Sequence, residues 1–400
     1  MKILQISPQF PYPLDSGGKI GIYNITRQLS NFGAEIFFVA FSRYKIPNEY
    51  IEHFKTFCHP FILYENTKNT FFKILKYFII NKPIFTEKYF TKKSKLFFEN
   101  LLNIIDFDII HLDHTAMFSL GKWVSERSQK PVGLRLHNIE WLIWKRFLDA
   151  QSKFSPKSVF LSQQTSLLRK KEQQAIRFAT VSFACTENDR SRALELVPDA
   201  NVLVASPGVD LEFWKVNNAL QRNPYEILFA TTYNLSYNLD GLIWYLEKVH
   251  PLVIEREPKI ILTILGKDAP DFLKKYPNVS LVGYVEKVQP YYNRGNLFIV
   301  PLFVGSGVRM RILEAMAMGL PVVSTSVGAE GINATEDQGL FIGDTSEEFA
   351  AKILFLVKNP DLAHRLGIKA KDYIVENHSV QKTLKVIYQE YEKIISEKKS

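Results

Sequence analysis

NLFIVPLFVGSGVRMRILEAMAMGLPVVST, residues 296–325, holds a strand, a loop, a helix and a second strand in one short span. NLFIVPLF is a continuous apolar run of the kind buried on both faces of a parallel sheet. GSG is the loop. RMRILEAMAM carries apolar residues at helical spacing and is stopped by Gly319 ahead of Pro321. PVVST then resumes as strand. Two strands joined through a helix form a crossover unit, which requires a parallel sheet.

The same rhythm extends outward in both directions. EILFATT, a helix through GLIWYLEKVHPLV, KIILTILG and VSLVGYV precede it. Closer to the start stand KILQIS (2–7), the helix GIYNITRQLSNFG and the strand AEIFFVAFS, then DIIHLD, PVGLRLH, TVSFACT and NVLVASP. The series restarts after Asn223, and 400 residues exceed one ordinary domain. The expectation is an α/β protein of two doubly wound, Rossmann-like domains. Their bounds are 1–206 and 207–380, with a terminal amphipathic helix, 381–400, packing back toward the first domain. No internal repeat or low-complexity tract interrupts the pattern.

Composition narrows the class. Cys58 and Cys185 are too few for a disulfide framework and form no CxxC pair, so a reducing compartment is expected. MKILQISPQFPYP lacks the long apolar core of a signal peptide, and no apolar run of 18 residues predicts a spanning helix. The expected location is cytoplasmic.

The formal net charge of +9 is uneven: residues 43–102 contain 11 Lys+Arg against five Asp+Glu. This segment is also rich in Phe, as in TFFKILKYFIINKPIF and FTEKYFTKKSKLFFENLL. Two readings stand. Rings and lysines can meet an anionic membrane surface, here the inner face of the membrane, or the Phe faces are core and the Lys faces solvated. No recognition motif accompanies the charge, so nucleic acid is not an expected partner.

The loop of the opening stretch is an anion site by construction. Gly305, Ser306 and Gly307 lead from a strand end into a helix N-terminus, where free N–H groups and the helix dipole attract negative charge. Arg309 and Arg311 add two full positive charges, which suits a diphosphate. Glu314 would be repelled by that phosphate unless it meets a donor, and a ribose cis-diol beside the phosphates supplies two. Arg311 and Glu314 share a helix face. The alternative is that the arginines merely solvate a helix end and Glu314 pairs with Arg311.

GSGVRMRILEAMAMGLPVVSTSVGAEGI resembles the signature of the large group 1 (family 4) glycosyltransferases of the GT-B fold. PQFPYPLDSGGKIGIYNITRQLSNFGAEI, LRLHNIEWLIWKR, VASPGVDLEFW and YNLSYNLDGLIWYLEKVHPLV resemble further family stretches in the family's order. The resemblance implies two domains facing a central cleft and retaining transfer of a sugar from a nucleotide-diphosphate sugar, which is a substrate and not a cofactor. The acceptor would be a glycan or a lipid-linked glycan, as in bacterial surface polysaccharide synthesis. It implies no obligatory metal. By the same resemblance His137 would contact the donor sugar, and Thr231 stands where the family's first donor-domain loop often has Gly. Where the family often has the first Glu of Glu-x7-Glu, this chain has Ser306, and Arg311 replaces the Lys of a Gly-x-Gly-x-Arg-x-Lys subgroup.

Gly17 and Gly18 follow the first strand and would let backbone approach the reaction centre. His137 follows the strand PVGLRL, where a loop should face the site. DFD (106–108) precedes a strand and reads as a polar strand start. In HLDH (111–114), strand alternation sends His114 away from His111 and Asp113, against a metal site. Two other activities fit the architecture: a non-hydrolysing sugar-nucleotide epimerase, and a catalytically silent carbohydrate- or lipid-binding protein. A pyridoxal-dependent phosphorylase lacks a candidate lysine.

Overall fold

A computed structural model of the chain describes residues 1–14, 16–149, 155–217, 221–233, 236–304 and 308–399. Among these residues, thirteen strands form two all-parallel sheets, one in each of two compact units. The first unit comprises Met1–Ser206 and Leu384–Ser400, and the second Pro207–Thr383.

The first sheet contains β1 (Lys2–Ser7), β2 (Glu35–Ser42), β3 (His59–Tyr64), β4 (Ile109–Leu112), β5 (Val132–Leu136), β6 (Val181–Ala184) and β7 (Val202–Val204). Their spatial order is β3-β2-β1-β4-β5-β6-β7. The second contains β8 (Glu226–Ala230), β9 (Ile261–Leu265), β10 (Val279–Gly283), β11 (Leu297–Val300), β12 (Val322–Ser324) and β13 (Leu340–Ile342), in the order β10-β9-β8-β11-β12-β13. Both are doubly wound. The order reverses between β1 and β4 in one sheet and between β8 and β11 in the other, and in such sheets ligands bind off the carboxyl ends of the strands at that reversal.

The burial pattern explains why these runs are strands. IIHL of β4 and LFIV of β11 are buried at every position, as expected for strands covered by helices on both faces. In the second unit Ile227, Phe229 and Ile299 enter one core, while Leu228, Phe298 and Val300 enter the core on the opposite face. Successive side chains of a strand point to opposite faces, so the one sheet organises both layers.

The helix read through GLIWYLEKVHPLV runs as Ser236–Trp244 and His250–Arg256, joined by a π turn at Tyr245–Val249. Pro251 is the second residue beyond that turn, and a proline inside a helix removes one ladder bond and clashes with the preceding turn. Among the described residues no helix is long and apolar enough to cross a membrane.

A doubly cationic crevice at the strand reversal of the second unit

The helix Met310–Ala317 starts one residue later than the stretch RMRILEAMAM suggests. Arg309 is its N-cap, with extended backbone (φ −85°, ψ 99°), and Arg311 is the second helical residue. Gly319 closes the helix with φ +70°, a conformation that favours glycine. The helix therefore rises from the end of β11, beside β8.

Arg311 reaches across the reversal. Its guanidinium donates to Thr231 Oγ1 at 2.7 Å and to Asn238 Oδ1 at 2.9 Å. Asn238 is buried and donates in turn to the Thr232 carbonyl at 2.9 Å. The ring joins the end of β8, the helix Ser236–Trp244 and the arginine helix. Two glycines let these pieces meet. A Cβ on Gly241 would stand 1.9 Å from the Pro301 carbonyl oxygen, and one on Gly266 would stand 2.0 Å from that of Thr231.

The side-chain partners of Arg311 in this ring are neutral, so its charge is fixed in place without being neutralised there. Burial holds the Arg311 guanidinium below the usual arginine range, and Arg309 beside it adds to that effect. Arg309 is shifted the same way by burial, against the attraction of Tyr237 and Glu330. Two neighbouring cations that each lose hydration are relieved by an anion placed between them.

Glu314 follows one turn later. Burial pushes its carboxyl up to about 7, opposed by the attraction of Arg311. Among the described residues its carboxylate makes no hydrogen bond or ion pair. Arg311 is committed to Thr231 and Asn238, so the pairing of Glu314 with Arg311 left open by the sequence is not formed. The Tyr233 hydroxyl is also buried without a partner, beside Gly266. Four residues singled out in the sequence, Thr231, Arg309, Arg311 and Glu314, thus come together; Gly305, Ser306 and Gly307 lie outside the described residues.

The first unit gathers a second set at the carboxyl edge of its own sheet. Gly17 and Gly18 begin the helix Gly17–Asn31. A Cβ on Gly17 would meet open space, and one on Gly18 would stand 3.8 Å from His137 Nε2, an ordinary contact. Protein packing therefore does not require glycine at either position. The Nδ1 atom of His137 is buried without a hydrogen-bond partner. Burial first, then Arg135 and His114, holds the ring well below the usual histidine range, so it is neutral near pH 7.

The turn after His137 is pinned from behind. Glu172, fully buried in the helix Pro156–Phe178, accepts from the Glu140 amide at 3.1 Å and the Trp141 amide at 3.2 Å. Burial nevertheless pushes its carboxyl up to about 8. Glu172 and Asn238 were not singled out from the sequence. RKKEQQ carries no motif that marks Glu172, and Asn238 sits in a stretch noted only for its resemblance.

DFD and HLDH have structural partners. Asp108 accepts from the Lys2 amide at 2.7 Å, and Asp106 pairs with Lys130 at 2.8 Å. His111 and Asp113 share a face, 3.3 Å apart, while His114 turns to Glu140 at 3.4 Å. Among the described residues, no group of three His, Cys, Asp or Glu side chains is placed to hold a metal.

Residues 224–359 match the family model for glycosyl transferases group 1. Along almost its full length the chain is similar to an uncharacterised 44.6 kDa protein in the cps region of Klebsiella pneumoniae. The two are 24% identical over 97% of this chain and 99% of that protein. Among solved structures it is similar to Anabaena Alr3699/HepE in complex with UDP, with a TM-score of 0.65 and 13% identity over 98% of this chain and 100% of that one. It is also similar to a variant of S. aureus TarM in complex with Fondaparinux, alpha-GlcNAc-glycerol and UDP. That TM-score is 0.68, with 14% identity over 98% of this chain and 100% of that one. The fold is that of the GT-B glycosyltransferases. A group 1 glycosyltransferase domain occupies most of the second unit, and the chain is an enzyme of the glycosyltransferase class.

Proposed function

We propose that the chain moves a sugar, with retention, from a nucleotide-diphosphate sugar to a glycan or lipid-linked acceptor in surface polysaccharide assembly. The observation that carries the proposal is the crevice at the β8/β11 reversal. Arg311 is locked there by neutral acceptors, Arg309 stands beside it, and Glu314 lies one turn on with its carboxylate unengaged. Cations at one end and a carboxylate at the other match a diphosphate followed by a ribose diol. Support for the donor class comes from the UDP held by HepE and TarM, and for the polysaccharide setting from the relative in a cps region.

In this reading Arg309, Arg311 and the helix N-terminus stabilise the departing diphosphate, where negative charge develops. The acceptor oxygen attacks on the face the diphosphate leaves, and a phosphate oxygen takes the acceptor's proton. The first unit is assigned the acceptor. A neutral His137 can exchange one hydrogen bond with a sugar hydroxyl, and the open turn at Gly17 and Gly18 admits a ligand close to backbone. The two guanidiniums carry the charge that a divalent ion would otherwise carry, so no metal is assigned to the step.

The test is release of nucleoside diphosphate with and without added acceptor. Release that requires acceptor supports transfer, while conversion of the sugar nucleotide without acceptor points to an epimerase. Arg309→Ala and Arg311→Ala should each lower kcat/KM by roughly 2–5 kcal/mol in transition-state terms, with EDTA leaving the parent unchanged. Near-normal turnover of both variants removes the proposal, and a loss in EDTA restored by Mn²⁺ removes its metal-free part.

A further inference from the structure

Two helices of the Phe–Lys segment of the first unit face opposite ways. In Lys92–Ile104, Phe98 and Leu101 are buried while Lys92 and Lys93 are exposed, the ordinary arrangement. In Phe71–Ile79 the arrangement is inverted. No residue of that helix is buried. Phe71, Phe72 and Ile79 are 71%, 81% and 71% exposed, and Leu75 and Ile80 are exposed beside them. Phe71, Leu75 and Ile79 recur every four residues and Phe72 and Ile80 lie beside them, so they form one outward stripe, with the exposed Lys76 among them.

The inner side of this helix fixes that orientation through polar bonds. Gln163 donates to the Phe78 carbonyl at 3.0 Å and to Asn81 Oδ1 at 3.1 Å. Tyr77 donates to the Glu87 carbonyl at 3.2 Å, and the Thr70 hydroxyl caps the first turn. The apolar stripe is therefore held outward by its anchors.

Cations gather at the base of the same helix. Residues 66–82 contain four lysines and no acidic residue. Lys73 bonds the Asn66 carbonyl, Arg43 donates to Thr67 Oγ1 at 3.4 Å, and Lys88 lies over the Tyr89 ring. Burial, then Arg43 and Lys73, pushes the Lys88 ammonium down to about 8. Among the described residues none of these three makes an ion pair.

We propose that the outward face of the Phe71–Ile79 helix, with Arg43, Lys73 and Lys88 at its base, is a docking surface for an anionic lipid bilayer. Rings and aliphatic side chains enter the acyl boundary while the cations meet headgroup phosphates. A second copy of the chain is disfavoured as the occupant, because it would bring a like-charged cluster against this one. The helix follows β3, so the docked face lies at the carboxyl edge of the sheet that also carries Gly17, Gly18 and His137. A lipid-linked acceptor would be met at that edge. This consequence rests on the proposed function; the docking itself does not.

The test is co-sedimentation of the full chain with vesicles of phosphatidylcholine alone or with one-third phosphatidylglycerol. The parent should sediment with the mixed vesicles and not with phosphatidylcholine alone. Phe71→Ser with Phe72→Ser should lower the partition constant at least a hundredfold, at roughly tenfold or more per ring withdrawn. Arg43→Gln with Lys73→Gln should lower it about twenty-five-fold, at roughly fivefold per cation. Hydrogen exchange on the parent should show residues 71–80 protected by mixed vesicles. Equal binding to both vesicle types, no binding at low salt, or a concentration-dependent dimer lost in the Phe variants would each overturn the inference. Because sedimentation involves no sugar transfer, its failure leaves the proposed function standing.

Discussion

Glu314 is where the electrostatics of the crevice can be read from one residue. Its folded carboxyl sits near 7 against an ordinary 4.5 because burial outweighs the attraction of Arg311. A raised carboxyl contributes stability that is fully present below about pH 4.5 and is lost as pH rises through about 7. Glu314→Gln removes the ionisation and keeps the shape. The variant should come within a few tenths of a kcal/mol of the parent in unfolding free energy below about pH 4, and exceed it at pH 8 by up to about 3 kcal/mol. The same variant should bind nucleoside diphosphate more weakly and no longer favour ribose over 2′-deoxyribose, because an amide accepts the diol less well than a carboxylate. Flat stability difference across that range would show that the carboxyl is not desolvated. Retained ribose discrimination would show that the diol lies elsewhere. The residue was legible in the sequence because a lone carboxylate beside two arginines needs an explanation. The ring that positions Arg311 was not, since Asn238 carries no such signal.

At the scale of elements, the crevice depends on how closely the helix Ser236–Trp244 lies on the backbone after β11. Gly241 makes that approach possible, with 1.9 Å between a hypothetical Cβ and the Pro301 oxygen. Gly241→Ala sets two effects against each other. Alanine is the better helix former by about 1 kcal/mol. The clash is with backbone, which cannot rotate away, and overpacking of this kind costs about 1–3 kcal/mol or more. The clash should win. Calorimetry should show a less stable protein, and nucleotide binding should fall as Asn238 is carried away from Arg311. A more stable variant with full nucleotide binding would mean the helix does not lie this close. Most strands of both sheets were readable as apolar runs between helices. The sequence reading omitted β3 and β13. Both are edge strands: β3 carries Pro60 as its second residue, which argues against a strand, and β13 is a three-residue strand. The orientation of Phe71–Ile79 was open for a different reason. Its periodicity matches that of a core helix, and only the polar anchors decide which face turns outward.

At the scale of the whole molecule, the chain passes from the first unit to the second after Ser206 and returns after Thr383. From Leu384 onward the returning helix, Val380–Lys399, is held in the first unit by a buried polar relay. Tyr391 Oη lies 2.6 Å from His111 Nδ1, His111 Nε2 lies 3.3 Å from Asp113, and Gln5 donates to Asp113 at 2.8 Å. Gly133 leaves the room: a Cβ there would stand 2.0 Å from the tyrosine oxygen. The amphipathic pattern of this helix was legible, but the relay joins β1, β4 and the chain's end across 280 residues, a pairing no local pattern encodes. Tyr391→Phe keeps the ring and leaves His111 Nδ1 without its partner in a dry site. An unsatisfied buried group of this kind costs about 1–3 kcal/mol. The loss should fall on the first unit, because every group in the relay belongs to it. In a two-unit chain unfolding need not be a single step, so hydrogen exchange resolved by segment is the suitable measurement. Protection in Met1–Ser206 should fall in Tyr391→Phe, while β8, β11 and the arginine helix keep theirs. If protection drops equally in both units, or in neither, the returning helix is not the anchor of the first unit that this relay describes.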